Sequence, residues 1–230
     1  MFISEIHSDY TGYGVSCNGA EDGFIDVTVI GGTGQYTYTW TKNGVLIEED
    51  DQDLYNLSIG TYIVVATDEN GCSTSILTQI TESAAMSIAE SHSDYMGYGV
   101  SCNGAEDGFI DITVTGGTGA YTYSWSNGET TEDLLNASAG IYNVVVTDEN
   151  SCEISIEIEL TQADEIQIDL GDISPGPHFN SDFVEGFGSI NMNIWGCDPD
   201  EIYTFDWSYE FDADFVSDIQ NPTNLYAGTY

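Results

Sequence analysis

The chain has 230 residues, of which 40 are Asp or Glu and only one, Lys42, is basic, so its formal net charge at pH 7 is −39. Phosphate groups are bound by Lys and Arg, and this composition therefore excludes nucleic acid and anionic membrane surfaces as partners. Hydrophobic residues make up 41% and aromatic residues 12%, which is typical of a folded protein. The negative charge favours binding to divalent cations or to basic protein surfaces, or surroundings of high salt that screen the repulsion between the carboxylates.

A segment near the start of the chain is duplicated. Residues 7–29 recur as residues 92–114, with identity at 21 of 23 positions. Self-similarity at a long fixed period is typical of a tandem array of folded units. We expect the third unit to be divergent and incomplete at its C-terminal end, because the last residues match the beginning of a strand in the other two units. The predicted domains are residues 1–82, 83–162 and 163–230.

Apolar and polar residues alternate along most segments with the period of two that half-buried antiparallel strands show. In Ile154–Leu160, for example, every second residue is apolar. Aromatic residues alternate in the same way before Trp40 and Trp125, and glycine-rich or Asn-Gly turns separate the segments. The sequence predicts an all-β fold of tandem immunoglobulin-like β-sandwich domains arranged as an extended rod.

The cysteine spacing predicts one disulfide in each of the first two units. Cys17 and Cys72 bracket the first unit, and Cys102 and Cys152 bracket the second at equivalent places. Four cysteines allow three pairings, and self-contained repeats favour the pairing within each unit. Each bond would close a loop of roughly 50 residues and stabilise its unit by about 4 kcal/mol. The alternative is buried reduced thiols, and the partner of Cys197 stays open.

The same pairing suggests a calcium site in each unit, because it draws two acidic loops together without a basic partner. Carboxylate and amide oxygens are the ligands that Ca²⁺ prefers, six to eight at a time. The alternative is that these residues only form turns, which Asp, Asn and Gly favour. The predicted metal ligands are Glu21, Asp22, Asp68 and Asn70 in the first unit and Glu106, Asp107, Asp148 and Asn150 in the second.

We predict no catalytic residues. The run His7-Ser8-Asp9 has the residue types of a hydrolase triad, but adjacent side chains on an extended chain point to opposite faces. Carbohydrate binding is the stronger alternative, since exposed Tyr or Trp rings stack on sugars. A tryptophan on the third strand of a sandwich is usually core. The predicted ligand contacts are instead four tyrosines in a polar loop segment, namely Tyr10, Tyr13, Tyr95 and Tyr98.

Several ordered motifs recur in both units. In the first they are SCNG at 16–19, VIGGT at 29–33, YTYTW at 36–40, GTY at 60–62 and TDENGC at 67–72. In the second they are SCNG at 101–104, VTGGT at 114–118, YTYSW at 121–125 and TDENSC at 147–152. Together they resemble the SprB repeat of very large surface proteins in gliding and other Bacteroidetes bacteria. Ser151 departs from the family pattern, which has glycine at that position.

The resemblance implies a function and a location. Such proteins are exported by type IX secretion and displayed on the cell surface, where the best known act as mobile adhesins. The repeats then serve as a stalk, whose partners are neighbouring repeats of the same chain and an extracellular polysaccharide or substratum. The alternatives are an array of carbohydrate-binding modules or a spacer in a secreted enzyme. No hydrophobic run reaches the roughly 20 residues that a membrane span needs.

Overall fold

The structure is a computed structural model that describes residues 1–174, 188–195, 207–209, 212–217 and 223–225. Within these ranges every regular element is a β-strand. The described part of the chain contains no helix long and apolar enough to cross a bilayer. The all-β prediction is therefore confirmed for these residues.

The first copy has seven strands that pair into two antiparallel sheets. One sheet has the order β1-β2-β5 and the other β4-β3-β6-β7. Pairing of the first, second and fifth strands, opposite the third, sixth and seventh, is the arrangement of an immunoglobulin-like sandwich. The strands are β1 Phe2–His7, β2 Gly23–Ile30, β3 Thr37–Lys42, β4 Val45–Leu46, β5 Leu54–Leu57, β6 Gly60–Thr67 and β7 Ser73–Ile80.

The core of this sandwich follows the alternation in the sequence. Ile25 and Val27 of β2 are fully buried, and Trp40 of β3 pairs with Val64 of β6 while remaining only 1% exposed. The Trp40 indole N–H donates to the carbonyl of Asp51 at 2.9 Å, which satisfies its only polar group. The prediction that this tryptophan is core rather than a sugar platform is confirmed.

The second copy repeats this topology in sheets of order β8-β9-β11 and β10-β12-β13, without a counterpart of β4. Its tryptophan, Trp125, is also buried at 3% exposure, and its indole N–H donates to the carbonyl of Thr131 at 2.9 Å. The strands are β8 Ser87–His92, β9 Gly108–Thr115, β10 Thr122–Trp125, β11 Leu134–Ala137, β12 Gly140–Thr147 and β13 Glu153–Leu160.

The C-terminal part has strands in two further sheets. One sheet has the order β14-β15-β18, and β16 pairs with β17 in the other. Cys197 lies outside the described residues. The strands are β14 Gln167–Ser174, β15 Gly188–Trp195, β16 Trp207–Tyr209, β17 Asp212–Ser217 and β18 Thr223–Leu225.

Contacts divide the chain into two compact units that do not follow the predicted domains. The first unit contains Met1–Ser91, Ile110–Leu134 and Ile141–Ile158. The second contains His92–Phe109, Leu135–Gly140 and Glu159–Tyr230. The predicted boundaries at residues 82 and 162 stay predictions, as does the extended rod.

Candidate functional site: the junction around Cys17 and Cys152

The loop between β1 and β2 carries Cys17 and is anchored on the end of β7. The backbone N–H groups of Gly14 and Val15 both donate to the carbonyl of Thr81, at 2.9 and 3.2 Å. Val15 is fully buried. Gly14 lies so close to β7 that a Cβ atom on it would be 2.9 Å from Ile80 Cγ2, so only glycine fits without a shift. These contacts fix the loop at one end of the sandwich.

The tip of the same loop holds the segment that connects the two copies. Asn18 Nδ2 donates to the carbonyl of Ser83 at 2.8 Å, and the N–H of Gly19 donates to Glu82 Oε2 at 2.7 Å. Gly19 has a φ of +77°, a conformation that favours glycine. The linker is thus hydrogen-bonded to the first copy, and Cys17 lies immediately before the residues that hold it.

A turn of the second copy supplies the other half of the junction. It joins β12 to β13 and is organised by Asp148, whose Oδ1 accepts the N–H groups of Asn150 and Cys152, both at 2.9 Å. Asp148 Oδ2 accepts the N–H and the hydroxyl of Thr118, at 2.8 and 3.0 Å. Burial alone raises the pKa of Asp148, but these hydrogen bonds to the charged form outweigh it, and the pKa is lowered below its ordinary value.

The two halves are joined by a disulfide between Cys17 and Cys152. The S–S distance is 2.05 Å and the Cα–Cα distance 5.7 Å, which is in the usual range for disulfides. The bond connects residues 135 positions apart in sequence. All residues of this junction belong to the first compact unit.

Hydrogen bonds around the disulfide complete the junction, and Asn150 makes most of them. Asn150 Nδ2 lies 3.2 Å from the carbonyls of both Tyr10 and Ser16, and the hydroxyl of Thr11 donates to Asn150 Oδ1 at 2.8 Å. The N–H of Gly117 donates to the linker carbonyl of Ala84 at 2.8 Å. The amide side chain of Asn150 therefore binds the opposite loop through two backbone carbonyls and one hydroxyl group.

The predicted pairings, Cys17 with Cys72 and Cys102 with Cys152, are wrong. Cys17 lies at the C-terminal end of β7, whereas Cys72 directly precedes the first residue of that strand. An eight-residue strand spans roughly 26 Å, while a disulfide requires Cα atoms within about 7 Å. Cys152 cannot pair with Cys102 because it is bonded to Cys17. The alternative of buried reduced thiols is wrong as well, since Cys72 and Cys102 are free but exposed.

The structure does not bring the predicted calcium ligands of the first copy together. Asp22 Oδ1 accepts the N–H of Ser16 at the Cys17 end, while Asp68 lies beside Cys72 at the other end of β7. Asp68 accepts the N–H groups of Thr33, Asn70 and Cys72, at 3.0, 3.0 and 2.8 Å. Hydrogen bonds from backbone N–H groups, that of Cys72 above all, lower the pKa of Asp68.

The second copy repeats these turn hydrogen bonds. Asp107 Oδ1 accepts the N–H of Ser101 at 3.0 Å, and hydrogen bonding to Ser101 lowers the pKa of Asp107. Glu21 and Glu106 have exposed side chains. Across the described ranges, no group of three or more His, Cys, Asp or Glu is arranged to hold a metal ion. Asp22 and Asp68 of the first copy therefore do not share one site, and calcium binding by this chain stays a prediction.

The four tyrosines predicted as ligand contacts lie in the anchored loops. Tyr10 and Tyr13 form an isolated antiparallel bridge, as do Tyr95 and Tyr98. Tyr95 is 38% exposed, and Tyr10 and Tyr13 are half-buried. Their backbones therefore shape the loop that carries the cysteine. Sugar binding by their rings stays a prediction.

Two junction residues, Asn18 and Thr11, have no role assigned from the sequence, and Asn150 is predicted from the sequence only as a metal ligand. Asn18 directly follows Cys17 and Asn150 precedes Cys152 by two residues in the repeated motifs, and this is the signal that could have found them. Both asparagines bond to backbone carbonyls that are distant in sequence. Sequence spacing does not specify such partners.

Comparison with known proteins finds a family match in both copies. The SprB repeat matches residues 15–45 and 100–130, so the chain carries this repeat at two positions that are 85 residues apart. The two matches contain Cys17 and Cys102. No curated protein matches the chain.

Three solved structures are similar to the chain at low identity. The three N-terminal domains of the bacteriophage RB49 highly immunogenic outer capsid protein Hoc are 20% identical, with a TM-score of 0.44, covering 96% of this chain and 79% of that one. The amphioxus IgVJ-C2 molecule is 14% identical, with a TM-score of 0.27 and coverage of 55% and 88%. The N-terminal eight Ig domains of Down syndrome cell adhesion molecule are 16% identical, with a TM-score of 0.27 and coverage of 68% and 23%.

Proposed function

Because the chain carries SprB repeats at two positions, a repeat that belongs to surface adhesins, we propose that it is a non-catalytic stalk segment of a large cell-surface adhesin. The segment would be exported by type IX secretion and would serve surface attachment or gliding motility. Its partners would be neighbouring repeats and, at the adhesive end, an extracellular polysaccharide or substratum. The disulfide is consistent with an extracellular location, since such bonds persist in oxidising compartments.

The single structural observation that carries the stalk role is the covalent bond between the two copies. Tension applied to the ends of the chain passes from Cys17 directly to Cys152 and bypasses the residues in between. Residues 18–151, which contain most strands of both copies, cannot be extended while the bond is intact. Such a bypass limits elongation under load, which is useful in a stalk and irrelevant to catalysis.

The linker contacts support the same proposal. Asn18 and Gly19 hold Ser83 and Glu82 by hydrogen bonds, so the connection between the copies is fixed by the first copy. The net charge of −39, with one basic residue in the chain, adds repulsion between successive segments. Repulsion of this kind favours separation of successive repeats over collapse.

Single-molecule force spectroscopy, with the chain held at its two ends, tests the mechanical part of the proposal. We expect the oxidised chain to extend by about 450 Å less than the reduced chain, since about 134 residues at up to roughly 3.5 Å each are enclosed by the disulfide. Cys17→Ser should give the long extension without reductant. Equal extension of oxidised and reduced chains would contradict the proposal.

Surface display is tested separately on intact cells of the source organism. An antibody raised against the 230-residue segment should label unpermeabilised cells, and deletion of the two repeats from the full-length protein should reduce attachment under flow without stopping export. Labelling that requires permeabilisation would contradict the proposed location. A catalytic activity lost together with the repeats would instead favour a spacer in a secreted enzyme.

A further inference from the structure

The two free thiols are the unbonded counterparts of the two bonded ones. Cys102 occupies in the second copy the place of Cys17, and Cys72 occupies in the first copy the place of Cys152. Both are exposed, whereas Cys17 and Cys152 are half-buried in the junction. We propose that Cys72 and Cys102 are two open halves of the same kind of junction, and that Cys102 of one copy of this chain forms a disulfide with Cys72 of a second copy.

The turn that presents Cys72 has the geometry of the turn that presents Cys152. The N–H of Asp68 donates to the carbonyl of Cys72 at 2.9 Å, and the corresponding bond from Asp148 to Cys152 is 3.0 Å. The N–H of Cys72 lies 2.8 Å from Asp68 Oδ1, and that of Cys152 lies 2.9 Å from Asp148 Oδ1. The turn that carries Cys72 therefore has the hydrogen bonds of the Cys152 turn although Cys72 is a free thiol.

The loop that presents Cys102 is equally preformed. Asn103 Nδ2 donates to the carbonyl of Ala163 at 2.9 Å, matching the bond of 2.8 Å from Asn18 to Ser83. The N–H of Gly104 donates to Gln162 Oε1 at 2.8 Å, matching the bond of 2.7 Å from Gly19 to Glu82. The carbonyl of Cys102 accepts the N–H of Ala105 at 3.1 Å, against 3.0 Å for Cys17 and Ala20.

Residues that would contact the partner loop are exposed in the two open halves. Asn70, the counterpart of Asn150, is exposed, whereas Asn150 is half-buried against Tyr10 and Ser16. In the second junction Asn70 would donate to the carbonyls of Tyr95 and Ser101. Met96 replaces Thr11 there, so the new junction would lack the hydroxyl that bonds Asn150 in the existing one.

Formation of the bond is a two-electron oxidation. The Cys72 thiolate of one copy attacks a disulfide oxidant, such as oxidised glutathione, and releases one reduced glutathione. The Cys102 thiolate of the second copy then attacks the Cys72 sulfur of this mixed disulfide and releases the second reduced glutathione. One S–S bond forms between the proteins, one is lost from glutathione, and the two protein thiols give up two protons and two electrons.

The test uses the full chain in a Cys197→Ser background, with oxidised glutathione and about 1 M NaCl to screen the charge. We expect a ladder of covalent multimers in non-reducing electrophoresis, each dimer lighter by two hydrogens than two monomers. The further variants Cys72→Ser and Cys102→Ser should each stay monomeric alone. A mixture of the two variants should form dimers and nothing larger. The amount of dimer in the mixture should be at least about tenfold that formed by either variant alone, which corresponds to a docking preference of about 1.4 kcal/mol.

A second measurement separates docking from random thiol oxidation. Asn70→Ala should slow the Cys72–Cys102 cross-link by about tenfold, and Met96→Thr should accelerate it, because these residues contact the junction without touching sulfur. Either variant alone forming as much dimer as the mixture, or rates indifferent to residues 70 and 96, would overturn the inference. Failure of this cross-link leaves the intrachain bypass and its force test unaffected.

Discussion

The two copies of the duplicated block are almost identical in sequence and differ in chemical state. Cys17 of the first copy is bonded to Cys152, while Cys102, in the same SCNG motif of the second copy, is a free exposed thiol. The loops around both cysteines make the same hydrogen bonds to the segments that follow β7 and β13. The comparison shows that the state of the cysteine depends on which turn lies opposite it, and not on the local sequence.

The largest expected effect is covalent and distinguishes the two pairings directly. Cyanogen bromide cleaves after methionine; Met86 precedes the second copy, Met96 lies before Cys102, and Met192 follows Cys152, so cleavage yields fragments 2–86 and 97–192 among others. We expect these fragments to remain linked until reductant is added, because Cys17 is in one and Cys152 in the other. Mass spectrometry of the unreduced digest measures this. Separate fragments, each with an internal disulfide, would restore the pairing within repeats.

The next effect should be equal in the two copies, because both loops pack equally closely on their own sandwich. A Cβ atom at Gly14 would lie 2.9 Å from Ile80 Cγ2, and one at Gly99 would lie 2.8 Å from Leu160 Cα. Gly14→Ala and Gly99→Ala should each lower the free energy of unfolding by about 1–3 kcal/mol through overpacking. Urea unfolding measures the change, with Thr28→Ala on the exposed face of β2 as control. A large difference between the two variants would show that the copies are not equivalent in packing.

A smaller effect should separate the two turns. Asn150→Ala removes hydrogen bonds to the carbonyls of Tyr10 and Ser16 and should lower the free energy of unfolding by about 1–2 kcal/mol. Asn70→Ala is the matched control in the open turn and should cost less than about 0.5 kcal/mol. Urea titrations of both variants under reducing conditions isolate the hydrogen bonds from the disulfide. Equal losses would mean that Asn150 stabilises only its own turn.

The smallest effect concerns the stability of the fold at acidic pH and should again be common to both copies. Hydrogen bonds lower the pKa values of Asp68 and Asp148, so their stabilisation is fully present above the unfolded-state pKa of about 3.9 and is lost as pH falls through the lower folded-state values. Asp68→Asn and Asp148→Asn should each flatten the decline of stability below about pH 4. Thermal unfolding between about pH 2 and 7 measures this, and an unchanged acid slope would contradict the assigned hydrogen bonds.

Much of the fold could be predicted because the relevant signals are local. Alternation in β2 specifies which side chains are buried, and Ile25 and Val27 are fully buried as expected. The aromatic third strand predicts a core tryptophan, and Trp40 and Trp125 are buried in their copies. A side chain's face depends on the period of the strand, which can be read from a few neighbouring residues.

The candidate site could be predicted only in part. The motifs around the four cysteines are identified in the sequence, but the predicted pairings rest on the assumption that each repeat closes on itself. That assumption placed Asp22 beside Asp68, although β7 separates their turns. The calcium prediction for the first copy depended on the same assumption and does not fit for the same reason.

The sequence by itself determined the strands, the buried faces, the turns and the repetition of the unit, because these depend on periodicity and on residues that are close along the chain. Only the tertiary structure decided that Cys17 meets Cys152, 135 residues away, and that Cys72 and Cys102 stay free. The physical reason is the length of strand β7, which holds Cys17 and Cys72 at opposite ends of the first sandwich. The turn of the second copy instead brings the sulfur of Cys152 within bonding distance of Cys17.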